Sequence, residues 1–231
     1  MTDTNPFFTD EHQMFQDSVR KFVAKEAPRE AVREWDSKGL YPYRLFEKMV
    51  DFDWLKIGIP EEHGGSDLDV MYMAILCEEL SRWSDNIGGV YGISYIGAAN
   101  ICKWGTDAQR RQYIPDYLAG KRRFSFSMTE PNTGSDSFGL TTFAREDGDH
   151  FVLNGEKIFA TAAQAKDNII VLAARTRRTE NKREGISMFL VPNDLPGLEI
   201  QPLNLLSRRV IGTNRLIFTD ARIPKTALLG P

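Results

Sequence analysis

Apolar residues recur at helical spacing through the first half of the chain. Four of them return every three or four positions after Thr9 and so predict one helix face: Phe15, Val19, Phe22 and Val23. The Thr9 hydroxyl can cap this helix and Pro28 interrupts it. Further helices are predicted to begin at Pro42, to span 70–80 and 91–104, and to begin again at Thr106. The first half therefore predicts a bundle of about five or six helices.

The pattern changes near Gly120 to short segments rich in β-branched or aromatic residues and separated by turn residues. After a first strand at Phe124, strands are predicted over seven segments: 141–145, 150–153, 157–161, 168–175, 186–191, 198–202 and 214–218. Asp147-Gly148 predicts a hairpin turn and Asn154-Gly155 a second turn. Since no helices separate the strands, we expect an antiparallel β-barrel or sandwich.

The predicted fold class is therefore α+β, in which an N-terminal α-helical bundle precedes this antiparallel β domain. We place the helical domain at residues 1–122 and the β domain at residues 123–231. The charged segment 179–184 is expected to be an exposed connection between strands.

The segment 124–136, Phe-Ser-Phe-Ser-Met-Thr-Glu-Pro-Asn-Thr-Gly-Ser-Asp, is a strand that runs directly into a polar loop. Apolar and hydroxyl side chains alternate up to Thr129, and Pro131 then ends the strand because it cannot donate a ladder hydrogen bond. The loop that follows supplies hydroxyls, backbone N–H groups and a flexible glycine. Such a loop suits a phosphorylated or polyoxygenated ligand, whereas the strand end suits a flat aromatic one.

Composition narrows the class of protein. The formal net charge of -3 gives no reason to expect nucleic acid, and no apolar run approaches the ~20 residues that cross a bilayer. The first residues lack the basic and apolar regions of a signal peptide, so a cytoplasmic location is expected. Cys77 and Cys102 lie in apolar helical stretches and are predicted to be reduced.

Two groups of residues have both a structural and a functional interpretation. Gly88, Gly89 and Gly92 resemble a phosphate-binding loop, but no strand precedes them, so close helix packing is preferred. The three histidines, His12, His63 and His150, share no metal-binding spacing. We predict no metal site and expect these histidines at surface or turn positions.

Met128-Thr-Glu-Pro-Asn-Thr-Gly-Ser-Asp136 closely resembles the first signature of the flavin-dependent acyl-CoA dehydrogenases. Five further segments resemble that family in the same order and at its spacing, and they cover nearly the whole chain: 57–65, 78–82, 104–120, 147–157 and 218–224. The resemblance implies a helical domain, a β domain that binds FAD, and then a second helical bundle, which is absent from this chain.

By the same resemblance, Phe126 takes the place of an aromatic residue near the flavin ring, and Met128 and Thr129 would contact its pyrimidine edge. Ser135 would lie by the FAD pyrophosphate or by the CoA chain of the substrate. A second family segment corresponds to Lys157–Thr161, where Phe159 would cover one flavin face and Thr161 would hydrogen-bond near N5.

This second segment departs from the family pattern. The usual Thr-Asn-Gly-Gly is Thr161-Ala-Ala-Gln164 here, which loses a side-chain amide and two glycines. Phe159 replaces a frequent Trp. In the signature itself, Asn132-Thr133 replaces a common Gly-Ala.

The activity implied by the resemblance is the α,β-dehydrogenation of an acyl-CoA thioester with FAD as electron acceptor. The family's catalytic base is a Glu in the domain absent here, so no catalytic residue is assigned and the chain alone is expected to be incomplete for catalysis. Glu130 and Asp136 belong to the signature loop and are predicted to be structural. Two alternatives stay open: a flavin monooxygenase or nitroalkane-oxidase-like member of the same fold, and a non-catalytic binding or assembly subunit.

Partners follow from the same resemblance. They are an acyl-CoA substrate, an acceptor like electron-transfer flavoprotein, and further subunits of a homo- or hetero-oligomer. The chain alone is expected to bind FAD weakly and to associate through exposed apolar surface. Lys121-Arg-Arg123 is interpreted as a solvated linker, with contact to a CoA phosphate or a partner subunit as the alternative.

Overall fold

The computed structural model describes residues 6–230 and begins with six α-helices. They are α1 (Asp10–Glu26), α2 (Arg29–Lys38), α3 (Tyr43–Val50), α4 (Val70–Leu80), α5 (Asp85–Trp104) and α6 (Asp107–Leu118). The predicted caps are confirmed: the hydroxyls of Thr9 and Thr106 accept from the backbone N–H groups of His12 and Gln109, each in a reciprocal capping box. Local sequence signals therefore determine where α1 and α6 begin.

Two details of the helical half differ from the sequence prediction. The helix α2 was missed, because Val32 is its one buried residue and its apolar pattern is too sparse to detect. His12 is buried rather than at the surface, since its ring closes the capping box of α1 and contacts Asp69 at 3.2 Å. Gly88, Gly89 and Gly92 lie inside α5, as the helix-packing interpretation predicts.

Seven strands follow. They are β1 (Arg123–Ser127), β2 (Phe143–Asp147), β3 (His150–Thr161), β4 (Asn168–Arg175), β5 (Ile186–Pro192), β6 (Leu198–Pro202) and β7 (Thr213–Pro224). They form one curled sheet in which β4 pairs with β5, β1 and β2, and the order continues through β3 and β7 to β6. The predicted α+β class, with helices before a β region, is confirmed.

The sheet is mixed rather than wholly antiparallel. β1 runs parallel to β4 from Arg123↔Asn168 to Ser127↔Leu172, and β2 meets β4 in the same sense at Phe143↔Arg175. β4 is buried at every position, on both faces of the sheet. Parallel pairs are typical of strands that are covered on both sides, which accounts for the difference from the prediction.

The turn predicted at Asn154-Gly155 is wrong. Both residues lie within the long strand β3, where the register with β7 shifts between Leu153 and Gly155. Gly155 has φ 140°, and a Cβ there would lie 2.7 Å from the Cα of Thr142. The extra residue of this register shift lies on β7, between Phe218 and Ala221, whereas glycine is required at 155 because the backbone there lies directly against Thr142. The hairpin turn at Asp147-Gly148 joins β2 to β3 as predicted.

The helices pack on one face of the sheet. Phe124 of β1 is buried against α5, where the ideal Cβ position of Gly97 is 2.2 Å from the Cβ of Phe124. Arg123 is also buried, and its guanidinium lies over the rings of Tyr43 and Phe46 at 4.9 Å from each centroid. A solvated linker is therefore the wrong interpretation for Arg123, because this cation is part of the contact between α3 and the sheet.

Within residues 6–230, no helix is long and apolar enough to cross a membrane. The same residues hold no cluster of three or more potential metal ligands. Cys77 and Cys102 are both free thiols, and burial raises the pKa of each.

Candidate functional site

β1 carries the first predicted site residue to the edge of the helical half. Its alternate residues have different surroundings: the N–H of Phe124 donates to Ser94 Oγ at 3.0 Å, whereas the Ser125 hydroxyl accepts from Asn168 at 2.8 Å. Phe126 shares the face of Phe124 but is only half-buried, at the margin of the helical core. Part of its ring therefore remains accessible where β1 ends.

Glu130 fixes the signature loop immediately after this strand. Its backbone N–H and C=O pair with those of Thr133, which closes a tight turn. Its carboxylate accepts from the N–H and hydroxyl of Thr141 at 2.7 Å each, from the N–H of Thr142 at 2.8 Å and from Lys157 Nζ at 2.9 Å. Burial alone would raise the pKa of Glu130, but these donors outweigh burial and lower it to about 2. Glu130 is a structural anion, as predicted from the sequence.

Lys157 and Ile158 join the end of β1 to β3. Lys157 Nζ donates to the carbonyl of Met128 at 2.8 Å, and the backbone N–H of Ile158 donates to the carbonyl of Thr129 at 2.9 Å. Burial lowers the pKa of Lys157, and the neighbouring Glu130 carboxylate opposes that shift. The predicted residues Met128 and Thr129 are thereby placed directly beside the second family segment.

Phe159 lies on a bulge in β3. The register with β7 shifts between Lys157 and Ala160, and Phe159 takes the left-handed backbone conformation with φ 61°. That conformation is uncommon for a bulky residue and needs surrounding structure to stabilise it. The residue is 54% exposed, so this strained position presents an aromatic ring to solvent instead of packing it inside.

Thr161 ends β3 next to a buried hydroxyl. It pairs with Thr213 of β7, whose hydroxyl is buried without a hydrogen-bond partner among the described residues. Gln164, which replaces a glycine of the family pattern, makes two hydrogen bonds. Its Oε1 accepts from Asn214 at 2.5 Å, and its amide donates to the carbonyl of Ile211 at 2.8 Å. Gln164 thus ties the turn after β3 to the start of β7.

Ser135 is exposed on the signature loop, beside a cavity of about 660 Å³. The cavity lies between this loop and the charged segment after β4, which is mostly exposed as predicted. Its lining includes three basic side chains, Arg175, Arg178 and Lys182, and the acidic Asp136, which contacts Lys182 at 3.3 Å. Positive charges therefore outnumber negative ones among the residues that line this cavity.

The structure thus brings five of the six predicted residues to one region and places Ser135 on the adjoining loop. Phe126, Met128 and Thr129 lie on β1 and its extension, and Phe159 and Thr161 lie on the neighbouring stretch of β3. An accessible aromatic ring, backbone polar groups and a buried hydroxyl without a partner suit a flat ligand with a polar edge. These residues fit a flavin.

Sequence comparison agrees with this geometry. The profile described as "Acyl-CoA dehydrogenase, N-terminal domain" matches residues 9–121, and "Acyl-CoA dehydrogenase, middle domain" matches residues 125–221. The chain belongs to the acyl-CoA dehydrogenase family. The resemblance found in the sequence motifs is confirmed, and the predicted flavin residues all lie within the part matched by the middle domain of that family.

Curated relatives and solved structures show the same assignment. The chain is 37% identical over 226 residues to the mitochondrial long-chain specific acyl-CoA dehydrogenase of Sus scrofa, covering 96% of this chain and 52% of the relative. An acyl-CoA dehydrogenase structure from Geobacillus kaustophilus is similar with a TM-score of 0.89 and 31% identity, over 99% of this chain and 60% of that one. A glutaryl-CoA dehydrogenase from Mycobacterium smegmatis, in complex with FADH2, has a TM-score of 0.88 and 26% identity, over 99% and 57% of the two chains.

The chain spans about half the length of the curated acyl-CoA dehydrogenases that it matches. Within this half, sequence inspection missed one part of the site, the connection from Lys157 and Ile158 to the carbonyls of Met128 and Thr129. The available signal was a lysine in a strand otherwise expected to be buried, with a glutamate at the end of another strand. Because an unpaired charge is costly to bury, two opposite charges in a predicted core indicate an ion pair.

Proposed function

We propose that this chain provides the flavin-binding and CoA-facing part of an FAD-dependent acyl-CoA dehydrogenase. The reaction is the α,β-dehydrogenation of an acyl-CoA thioester, in the metabolism of fatty acids. The observation that carries the proposal is the hydrogen bond from the N–H of Ile158 to the carbonyl of Thr129, which joins the segment after β1 to the stretch of β3 that contains Phe159 and Thr161. This group lies in the segment that matches the family's middle domain.

Bound flavin would supply a two-electron acceptor for the substrate hydride. Phe159 would cover one face of the ring, since its side chain is exposed and its backbone directs it away from the core. Met128 and Thr129 would orient the pyrimidine edge with backbone groups and the Thr129 hydroxyl. Phe126 would contact the ring from the end of β1, and Thr161 would hydrogen-bond near N5.

The basic cavity beside Ser135 supports a role in binding phosphate groups. Arg178 and Lys182 are exposed and line this cavity together with residues of the signature loop. Cationic side chains beside an exposed hydroxyl suit the phosphates of CoA or of FAD. Ser135 would contribute its hydroxyl to the pyrophosphate of FAD or to the CoA chain.

No catalytic base is assigned among residues 6–230. Glu130 is committed to four hydrogen bonds, and its pKa of about 2 is far below that of an effective base near neutral pH. Asp136 is exposed and paired with Lys182. The residue that removes the substrate α-proton is therefore proposed to be supplied from outside the described part of the chain.

The proposal extends to organisation and partners. The start of β1 at Arg123 supports a boundary between a helical domain at 1–122 and a flavin-binding domain at 123–231. The exposed side chains of Ile96 and Trp104 on α5 support association into a homo- or hetero-oligomer. Electrons would pass from the flavin to an acceptor like electron-transfer flavoprotein, and we keep the cytoplasm as the proposed location.

Titration of the purified chain with FAD tests the cofactor proposal. We expect saturable binding, seen as quenched flavin fluorescence, with lower affinity in Thr129→Ala. The matched control is Thr219→Ala, an exposed threonine of β7 that does not line the cavity beside Ser135. Protein that stays colourless at high FAD concentration would contradict the proposal and favour a non-catalytic subunit.

Anaerobic addition of acyl-CoA thioesters to the FAD-loaded protein, with and without a co-purified partner, tests the reaction class. Bleaching of the flavin absorbance with formation of the enoyl-CoA is the expected result when the partner is present, because the base is proposed to come from outside residues 6–230. Flavin that bleaches with a nitroalkane but not with any thioester would replace the proposal by the oxidase alternative. Sedimentation of the same samples tests association.

A further inference from the structure

Two consecutive carbonyls at the end of β1 are held by two consecutive residues of β3. The carbonyl of Met128 accepts from Lys157 Nζ at 2.8 Å, and the carbonyl of Thr129 accepts from the N–H of Ile158 at 2.9 Å. One donor is a side chain and the other is backbone. Together they fix the orientation of two successive peptide planes at the point where the flavin edge is proposed to bind.

The bulge in β3 provides this arrangement. Because the register with β7 shifts between Lys157 and Ala160, β3 contains one residue more than its partner strand there. The N–H of Ile158 points to Thr129 rather than along the β3–β7 ladder. The next residue, Phe159, is displaced to the exposed left-handed position. The same local irregularity therefore orients both the strand end and the aromatic ring.

The side chain of Lys157 is completely buried, which is costly for an ammonium group unless it is well paired. Its two partners are the Glu130 carboxylate and the Met128 carbonyl. Glu130 has three other donors and would remain hydrogen-bonded without Lys157. A neutral apolar side chain would fill the same space at lower cost, so stability alone does not account for a lysine here.

A trans peptide directs its N–H opposite to its C=O. The described residues contain no cis peptide bonds. When Lys157 holds the carbonyl of Met128, the N–H of Thr129 in the same peptide plane must therefore point away from Lys157. That N–H is one of the backbone groups assigned above to the flavin edge.

We propose that Lys157 and Glu130 are a positioning pair for the flavin, which aims the Thr129 peptide through the hydrogen bond from Lys157 to the Met128 carbonyl. This inference rests on the proposed function, because it requires a flavin at the end of β1. Lys157 acts through the backbone of Met128 and is not a catalytic residue.

The decisive variant is Glu130→Gln with Lys157→Met, which removes both charges and the donor to Met128 while keeping side chains of similar size. The matched control is Glu156→Gln with Arg215→Met, which removes a half-exposed ion pair between β3 and β7, with N–O distances of 2.5 and 2.7 Å. That pair contacts neither Met128 nor Thr129 through its side chains. Comparison of the two double variants separates the loss of an ion pair on β3 from the loss of the carbonyl contact.

Three readouts are measured. Amide hydrogen exchange of Ile158 in the flavin-free chain should accelerate at least ~tenfold in the first double variant and less than ~twofold in the control. The dissociation constant for FAD should rise about tenfold in the first variant only, and the visible spectrum of the bound flavin should shift. A purely structural role would alter unfolding without moving that spectrum.

A folded Glu130→Gln/Lys157→Met variant with wild-type exchange at Ile158, FAD affinity and flavin spectrum would overturn the inference. If that variant does not fold, exchange in the wild-type chain decides: an Ile158 amide that exchanges as fast as the exposed segment 180–184 would also overturn it. A wild-type chain that binds no FAD contradicts the proposed function instead, and the exchange measurement still shows whether the pair holds the strand end.

Discussion

The ammonium nitrogen of Lys157 lies 2.9 Å from Oε1 of Glu130, and the two side chains are 0% and 3% exposed. Ion pairs this deeply buried contribute little net stability compared with apolar residues, but breaking one is costly because it leaves an unpaired charge. Here the carboxylate also accepts from Thr141 and Thr142, so it is the better satisfied partner. Because these donors stabilise Glu130 as an anion, its protonation in acid should lower the stability of the fold.

Acid should destabilise the chain in part through Glu130. Its pKa is lowered to about 2 in the folded protein from an ordinary value of 4.5, so its contribution is fully present above about pH 4.5 and is lost as the pH falls toward 2. We expect about 2 kcal/mol of the loss in unfolding free energy between pH 6 and pH 3 to come from this residue. Denaturant titrations of the wild type and of Glu130→Gln at both pH values measure it.

Asp136→Asn is the control for this measurement, because Asp136 is an exposed carboxylate of the same loop. The unfolding free energy of Asp136→Asn should change between pH 6 and pH 3 as much as that of the wild type. If Glu130→Gln loses as much stability as the wild type between pH 6 and pH 3, the carboxylate is not held as the geometry indicates.

Local signals in the sequence were sufficient to predict the fold wherever the structure depends on residues close together in the chain. Thr9 and Thr106 form caps because the groups they satisfy lie three residues away. Signals with two structural uses were not sufficient to predict structure: glycine suits a turn, but Gly155 lies within β3, where its backbone approaches Thr142 too closely for a side chain. The parallel pairing of β1 with β4 joins residues about 45 positions apart, and nothing in either strand specifies its partner.

The same distinction applies to the candidate site: residues of one continuous segment could be placed from the sequence, and their partners on other strands could not. Thr129 and Ser135 could be placed by motif, since the signature loop is continuous in sequence. The donors that hold its start, Lys157 and Ile158, come from another strand and become neighbours only through the bulge. Gln164 departed from the family pattern, and its partner Asn214 could not be found without knowing which strands pair.

Gly97 should be intolerant of any side chain. An added Cβ would lie 2.2 Å from the Cβ of Phe124, at the contact between α5 and β1, where neither backbone can move without disturbing the core. Gly97→Ala is expected to destabilise the chain by about 1–3 kcal/mol, measured by chemical unfolding.

Gly92→Ala is the control in the same helix. Apart from the adjacent residues and the backbone of α5 itself, no atom lies within 4 Å of an added Cβ there, so alanine should stabilise α5 by up to about 1 kcal/mol through helix propensity. Equal effects of the two substitutions would show that α5 does not pack on β1 as described.

Gln164 and Gly212 should be energetically coupled. A Cβ at Gly212 would lie 2.1 Å from Nε2 of Gln164, and Gly212 has φ 68°, which favours glycine in any case. Gly212→Ala should cost about 1–3 kcal/mol in the wild type and about 1 kcal/mol less in a Gln164→Ala background, where only the backbone strain remains. A double-mutant cycle of unfolding free energies gives the coupling, and strictly additive effects would contradict the contact.

Phosphate binding should depend on Arg178 and Lys182. Both line the cavity beside the signature loop, whereas the neighbouring Arg177 does not. Arg178→Gln and Lys182→Gln should each weaken the binding of CoA by roughly three- to tenfold, more at low salt than at high salt, since exposed charges are screened. Calorimetric titrations with CoA, with Arg177→Gln as the control of equal charge, measure the effect. An equal loss in all three variants would indicate a general charge effect instead of a site.

Phe159 should be dispensable for folding but not for FAD binding. The residue is 54% exposed and its φ is 61°, so Phe159→Gly removes backbone strain and little packing. The unfolding free energy should stay within about 1 kcal/mol of the wild type, while FAD affinity falls about three- to tenfold with the loss of an aromatic contact. Phe159→Trp keeps an aromatic face and should retain FAD affinity. Weaker FAD binding in Phe159→Trp than in Phe159→Gly would place the ring in the path of the flavin rather than against its face.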